Sequence, residues 1–418
     1  MDEHRTPRSS AQLAALGLPA FGIALAYTIA TTYLPVLIER LSGPAITGFM
    51  IGGEGLLSLV VPVLVGSWSD GTRTRLGARM PFVLAGAAFA VAGLLVIPST
   101  TRSLLGMGLG LGVFFLGYFV YYSPYYALFP DLVPDTQRGR SQGVQGGFRS
   151  VGMLASLAIG GLLMQWWLPL PFVVSALAIA GTTAVLHRSV RRQVRSPGVR
   201  PKHAQNGWAN EWRVVRSSPD IRRWAIANAL WETAVGALRV FVVLYFTRGL
   251  RLSLPQVSGA LALVGAAAVL AAPVSGALAD RFGHRRVMKI ALWVFGIGVL
   301  PAVFTTDTRF IAAIIPVAFA AVVLLTLPYS MLMGMLPARQ EHGAGAGLYG
   351  FSRGIGVLMG PLLGGLTVEV CRSWDFLVFA RTEGYSAIFA LTSAVLLLSL
   401  PVLGRMDDRC TPRQRRVS

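Results

Sequence analysis

The chain has 418 residues, of which 54% are hydrophobic and only 13% are charged, and its mean hydropathy is +0.61. A soluble globular domain carries roughly a quarter charged residues, so this composition excludes a soluble domain with an ordinary charged surface. The net charge of +19 does not indicate a nucleic-acid partner, because the basic residues concentrate in alternate loops between apolar segments.

Twelve apolar segments of about 20 residues, the length that crosses a bilayer core, follow one another along the chain. Each is predicted to be an α-helix, because backbone groups in lipid must be satisfied within their own segment. We predict spans 1 to 12 at residues 11–36, 46–68, 82–98, 104–129, 143–165, 168–186, 222–247, 257–279, 287–305, 310–334, 344–370 and 385–404. The fold class is therefore an all-α membrane protein with twelve transmembrane helices.

The polar segments divide these spans into two bundles of six. The predicted organisation is an N-tail (1–10), an N-terminal bundle (11–186), a basic linker (187–221), a C-terminal bundle (222–404) and a C-tail (405–418). Because Lys and Arg collect on the side of the tails and the linker, the positive-inside rule predicts that both termini are cytoplasmic. We expect a cell (plasma or inner) membrane protein whose basic loops attract anionic membrane lipids. The polar N-tail has no cleavage site, so span 1 is predicted to be retained.

The two bundles repeat sequence features at a constant spacing. Residues 149–152 (Arg-Ser-Val-Gly) and 160–162 (Gly-Gly-Leu) are matched 204 positions later by 353–356 (Arg-Gly-Ile-Gly) and 364–366 (Gly-Gly-Leu). The same offset carries Pro124-Tyr125 onto Pro328-Tyr329. A consistent offset over this length indicates a duplication, which predicts two pseudo-symmetric six-helix bundles.

The loops after spans 2 and 8 are also alike. Residues 66–79 and 276–286 each contain a Gly, an Asp four positions later, a second Gly and several arginines. A glycine permits close packing and positive φ, and an aspartate can meet an arginine or a helix N-terminus. The predicted gating residues of these loops are Asp70, Arg73, Arg79, Asp280, Arg281 and Arg285.

These paired loops in two six-helix halves resemble the major facilitator superfamily. Residues 69–86 and 124–140 are similar to the corresponding segments of sucrose-type proton symporters and of glycoside–pentoside–hexuronide cation symporters. The resemblance implies alternating access, a cavity lined by spans 1, 4, 7 and 10, and loops that hold the two halves together on the cytoplasmic side. It also implies a small-molecule substrate, a proton as the coupling ion, and a functional monomer.

Charged residues inside the spans are the first candidates for transport, because each is costly in lipid unless it is paired or hydrated. Glu54 lies in span 2 among three glycines, which leave room for water, a ligand or a close helix. Glu232 and Arg239 lie two turns apart on one face of span 7, with Asn228 one turn earlier and Trp231 adjacent. Glu54 and Glu232 are the proton-coupling candidates; the alternatives are a hydrogen-bonded carboxyl at a helix contact and an ion pair that only fixes packing.

Two arginines are related by the repeat, Arg149 in span 5 and Arg353 in span 11. Their equivalence predicts a shared role as gate arginines that meet Asp70, Asp280 or Asp131. The alternative is that both side chains extend to the membrane interface.

Span 4 has a cluster of tyrosines, of which Tyr118, Tyr122 and Tyr125 are predicted to share one face; Tyr27 in span 1 is a related candidate. Aromatic rings with hydroxyls suit a sugar by stacking and hydrogen bonding. They suit a lipophilic drug as well, and tyrosines also favour membrane interfaces without any ligand.

Three functions remain open from the sequence. Proton-coupled import of a sugar or related polar solute leads. Proton-antiport efflux of a drug, lipid or metabolite is the second. Antiporters of the superfamily often carry a Gly-x-x-x-Gly-Pro-x-x-Gly-Gly pattern in helix 5; here it occurs in span 11, at residues 356–365, and does not establish export. A non-transporting membrane assembly or pigment-delivery factor is the third. We expect no enzymatic activity, no cofactor and no metal, because neither a phosphate-binding loop nor a His/Cys cluster is present.

Overall fold

The computed structural model describes residues 8–72, 74, 76–190, 216, 218–307, 314–336 and 342–406. The described part contains twelve helices long and apolar enough to cross a membrane, which confirms the predicted fold class. Arg73, both tails beyond residues 8 and 406, and most of the linker lie outside the described residues.

The helices follow the predicted spans closely. Spans 1 to 6 are formed by Ser10–Gly17 with Pro19–Thr32 and Leu34–Ser42, then Pro44–Gly71, Met80–Ser99, Leu104–Leu132, Arg138–Trp166 and Leu170–Val190. Spans 7 to 12 are formed by Pro219–Leu244, Leu254–Phe282, His284–Gly298 with Pro301–Phe304, Ile314–Met335, His342–Cys371 and Ala387–Gly404. A π-helical turn, Tyr245–Gly249, extends span 7, and 3-10 turns occur at Asp135–Gln137 and Ala380–Thr382.

Span 1 extends beyond its predicted end at residue 36. Its last helix, Leu34–Ser42, brings Glu39 and Arg40 into the span, and Glu39 is only 7% exposed. The two adjacent charges make the segment read as a polar loop in the sequence. The helix nevertheless continues until Gly43, whose φ of +83° is strained for any residue with a Cβ.

The similar loops after spans 2 and 8 also share a backbone feature. Gly77 and Gly283, the last glycine of each loop, both adopt positive φ, at 87° and 85°. A left-handed residue turns the chain tightly from one span into the next, which explains why both copies have glycine there.

Contacts between helices divide the chain into two compact units. The first unit comprises Met1–Ser42, Leu57–Ala204 and Ser253–Ala262, and the second comprises Gly43–Leu56, Gln205–Leu252 and Leu263–Ser418. In the first unit span 1 packs on spans 5 and 6, and span 3 packs on spans 4 and 6. In the second unit span 7 packs on spans 11 and 12, and span 9 packs on spans 10 and 12. The same pairing recurs six spans later, so the duplication seen in the sequence is also a duplication of packing.

Each unit includes a short segment from the other half of the sequence. The start of span 8 belongs to the first unit, and the first half of span 2 belongs to the second. Gly161 on span 5 contacts Leu254, and its repeat partner Gly365 on span 11 contacts Pro44. A Cβ at either glycine would overlap the backbone it faces, so the repeated glycines allow both exchanged segments to dock.

Candidate functional site

Glu54 is paired with Arg239 inside the second unit. Its Oε2 lies 3.7 Å from Nη2 of Arg239, and Glu54 as a whole is 3% exposed. Two of the neighbouring glycines explain the placement: Gly52 and Gly55 lie against the backbone of span 11, where any side chain would collide. The glycines therefore let span 2 approach span 11 closely enough for Glu54 to reach span 7.

Glu232 is paired with Arg353 in the same unit. Its Oε1 lies 3.6 Å from Nε of Arg353, and Glu232 is 7% exposed. A Cβ on Gly356, one turn beyond Arg353, would overlap the Cβ of Glu232. The close crossing of spans 7 and 11 thus buries the carboxylate and brings the arginine to it.

The other predicted polar residues of span 7 face different neighbours. Asn228 donates from Nδ2 to Oγ of Ser352 on span 11 at 2.8 Å, one turn from the Glu232–Arg353 pair. Trp231 donates from Nε1 to Oγ of Ser399 on span 12 at 2.9 Å and is fully buried. Asn228 therefore belongs to the polar face of Glu232, whereas Trp231 anchors span 7 to span 12.

Span 7 consequently carries two acid–base pairs, with partners from spans 2 and 11. The sequence predicted that Glu232 and Arg239 share one face, and the alternative to a role in transport was an ion pair that only fixes packing. In the structure each has an oppositely charged partner on another span. These two ion pairs join spans 2, 7 and 11. In each pair the carboxylate is the group that a proton would neutralise.

In the first unit four tyrosines form a continuous stack, which we call the tyrosine ladder: Tyr27, Tyr118, Tyr122 and Tyr126. Tyr27 stacks on Tyr118 with ring centroids 4.9 Å apart. The centroid distances from Tyr118 to Tyr122 and from Tyr122 to Tyr126 are 5.7 and 4.3 Å. All four rings are half-buried. They form an aromatic surface with hydroxyl groups that is contributed by spans 1 and 4.

The structure places Tyr126, in the position expected of Tyr125, on this face. Tyr125 is fully buried, and its hydroxyl donates to the carbonyls of Leu16 and Gly17 at 2.9 and 3.3 Å. Span 4 is a continuous helix, so Tyr118, Tyr122 and Tyr126, which are four residues apart, lie along one stripe. Tyr125 lies outside this stripe and points to the backbone of span 1. Tyr125 therefore holds spans 1 and 4 together.

The gating-loop residues make the following contacts. Arg79 donates from Nε to Oδ2 of Asp131 at 2.5 Å and from Nη1 to Oγ of Ser69 at 3.3 Å. Arg285 donates to the carbonyl of Gly404, and the Arg281 guanidinium lies 5.3 Å from the ring centroid of Phe282. Asp280 is exposed, and the side chain of Asp70 lies outside the described part.

The two arginines predicted as gates, although equivalent in the repeat, have different surroundings. Arg353 pairs with Glu232, whereas Arg149 is exposed on span 5.

Two features were not anticipated from the sequence. Glu39 is a buried carboxylate. It was not predicted because the adjacent Arg40 made this segment look like a polar loop in the sequence. Ser258 accepts the Gly161 N–H at 2.8 Å and lies 2.9 Å from the Tyr33 hydroxyl, which in turn donates to the carbonyl of Leu157. Among the described residues there is no group of three or more His, Cys, Asp and Glu side chains that could hold a metal.

A family model and a curated relative both match this chain, and both name the same family. The model of the Major Facilitator Superfamily matches residues 16–248 and 225–417. A curated relative, the uncharacterized MFS-type transporter YfiU of Bacillus subtilis (strain 168), is 26% identical over 152 residues, which span 32% of this chain and 29% of the relative.

Solved structures share the fold at low sequence identity. A mutant of the nucleoside transporter NupG matches with a TM-score of 0.76 at 12% identity, covering 94% of this chain and 99% of NupG. A bacterial homolog of the human lysosomal transporter Spinster gives 0.75 at 16%, covering 96% and 97%. A bacterial homologue of the iron transporter ferroportin gives 0.73 at 14%, covering 96% and 99%.

Proposed function

The chain belongs to the major facilitator superfamily of transporters, and we propose that it couples protons to the import of a sugar or related polar solute by alternating access. We place it in the cell membrane as a functional monomer with both termini in the cytoplasm. The likeness to sucrose-type and glycoside–pentoside–hexuronide symporters in residues 69–86 supports this branch.

The observation that carries the proposal is the pair of buried carboxylates on and against span 7. A buried ion pair is often no more stabilising than a well-packed apolar contact, so its presence in a membrane span calls for another use. Protonation of Glu54 or Glu232 removes the attraction to Arg239 or Arg353. Proton uptake thereby loosens contacts among spans 2, 7 and 11, and proton release restores them.

The tyrosine ladder supplies the solute-binding surface in this proposal. Stacked rings bind the flat, apolar face of a sugar ring, and the tyrosine hydroxyls and Arg149 bind its polar edge. A nucleoside, the solute that gives the nucleoside transporter NupG its name, presents a comparable ring face. We therefore include nucleosides beside sugars in the substrate panel.

Proton-antiport efflux of a drug, lipid or metabolite is the second candidate. The observation that favours it is the same half-buried ladder, since aromatic rings also bind lipophilic cations through cation–π contacts. The two candidates differ in the direction in which a proton gradient drives the solute.

Reconstitution into liposomes with an imposed pH gradient distinguishes them. Labelled disaccharides, monosaccharides, nucleosides and lipophilic cations are offered to the wild type, to Glu54→Gln, to Glu232→Gln and to Glu369→Gln. Glu369 is an exposed carboxylate near the end of span 11, so its variant makes the same chemical change away from the pairs.

We expect proton-driven accumulation of a sugar or nucleoside in the wild type and in Glu369→Gln. At least one of the other two variants should lose accumulation and keep solute counterflow, because counterflow needs no net proton movement. Extrusion of cations alone would replace import by efflux. Unchanged accumulation in both variants would remove Glu54 and Glu232 as coupling groups.

A further inference from the structure

A groove of about 440 Å³ opens on the surface of the second unit between spans 8, 9 and 10. Its walls are apolar, with Leu278 and Phe282 on span 8, Ile290 and Val294 on span 9, and Phe319 on span 10. Small residues deepen it, because Ala291 and Ala320 line the groove and are almost completely buried. An apolar groove of this volume between helices fits a hydrocarbon chain.

One end of the groove is cationic. Arg286, an exposed residue in the first turn of span 9, lines it directly. Arg281 lies over the ring of Phe282 in the groove wall, and Lys289 follows one turn after Arg286. Asp280 is the acidic residue beside them, so positive charge predominates at this end.

The groove runs along the helices from this cationic end. Arg286 and Val294 are eight residues apart on span 9, which is roughly 12 Å of helix. Lipid is the solvent for this apolar surface, and a phosphate group lies at the interface where the span begins. The charge and the groove therefore match the two parts of one phospholipid molecule.

We propose that this groove is a binding site for an anionic phospholipid, with an acyl chain between spans 8, 9 and 10 and the headgroup phosphate at Arg286. Arginine suits this role, because its guanidinium forms bidentate hydrogen bonds with phosphate oxygens. The anionic leaflet is the cytoplasmic one, which agrees with the side that the positive-inside rule predicts for the span 8–9 turn. The site is independent of any transported solute.

Native mass spectrometry of the purified full-length chain tests the proposal. The protein is titrated with an equimolar mixture of phosphatidylglycerol and phosphatidylcholine that carry identical acyl chains. Arg286→Gln removes the headgroup contact, and Val294→Trp fills the groove. Arg188→Gln removes an exposed arginine at the end of span 6, and Val274→Trp adds the same ring at another exposed position on span 8, so these are matched controls.

We expect the wild type and both controls to retain phosphatidylglycerol in preference to phosphatidylcholine. Arg286→Gln should lower that preference about fivefold, the change that one basic residue near an anionic surface produces. Val294→Trp should lower retention of both lipids. An equal loss in Arg286→Gln and Arg188→Gln would show non-specific attraction and overturn the site. Unchanged retention in Val294→Trp, with elution as a single folded species, would overturn the groove as the chain-binding element.

Discussion

Glu54 and Arg239 come from opposite halves of the sequence, and Oε2 of the first lies 3.7 Å from Nη2 of the second. The contact exists because Gly52 and Gly55 bring the first half of span 2 against span 11, so this segment packs within the second unit. One helix is thereby shared between both units, with its beginning in one and its end in the other. A proton on Glu54 weakens one of the contacts that keep the beginning of span 2 in place.

The pair predicts a specific pattern of stability changes. Arg239→Gln removes the cationic partner of a buried carboxylate, which costs about 3–5 kcal/mol in comparable pairs. The double variant Glu54→Gln/Arg239→Gln removes both charges and should recover much of that loss. Unfolding of the detergent-solubilised protein, followed by intrinsic fluorescence, measures all the variants. If the single and the double variant were equally destabilised, the two groups would not be coupled.

The crossing of spans 7 and 11 predicts a strict requirement for glycine at position 356. Gly356→Ala should lower the unfolding temperature sharply and reduce transport, because its Cβ would overlap Glu232 and the backbone of span 7. Gly350→Ala is the control on the same helix, since a Cβ there meets nothing within 4 Å. That variant should be neutral or slightly stabilised, because alanine favours a helix by up to about 1 kcal/mol over glycine. Similar behaviour of the two variants would argue against the close crossing.

The two groups of tyrosines on span 4 predict different defects. Tyr125→Phe removes a buried hydroxyl that donates to Leu16, so it should lower stability by about 1 kcal/mol and leave KM unchanged. Tyr122→Ala interrupts the tyrosine ladder, so it should raise KM at least several-fold with a small effect on the unfolding temperature. Transport kinetics and thermal unfolding of both variants check this contrast. A raised KM in Tyr125→Phe with normal stability would reverse the two assignments.

Much of the fold could be predicted, because the signals that specify it are local. The length of the apolar segments predicted the twelve spans. The constant offset of 204 residues indicated a duplication, and the helix pairing is the same in both units. The positive φ of Gly77 and Gly283 also agrees with the use of glycine inferred for the loops. Membrane spans are among the easiest elements to locate, since a lipid environment leaves the backbone no alternative to a helix.

The pairing within the site could not be predicted, because it depends on which helices cross. The sequence identified Glu54, Glu232, Arg239 and Arg353 individually, but contained no signal that Glu54 would meet Arg239. The shift from Tyr125 to Tyr126 has a simpler cause. The two residues are about 100° apart around the helix, on either side of the stripe of Tyr118 and Tyr122, so only packing decides which of them joins the ladder. Glu39 was missed because charges near a span end resemble the start of a loop.

Buried hydrogen bonds join the start of span 8 to spans 1 and 5. Ser258 accepts the N–H of Gly161, and its own proton is available to the hydroxyl of Tyr33, whose proton goes to the carbonyl of Leu157. Ser258→Ala should cost about 1–3 kcal/mol of stability, because buried polar groups then lose their partner. Tyr33→Phe should cost less after Ser258→Ala than alone, since part of the network is already gone. Ser99→Ala, at an exposed serine bonded only within its own helix turn, should change stability by no more than about 0.5 kcal/mol. Strictly additive effects of Ser258→Ala and Tyr33→Phe on unfolding would show that the two side chains do not act together in holding span 8 to spans 1 and 5.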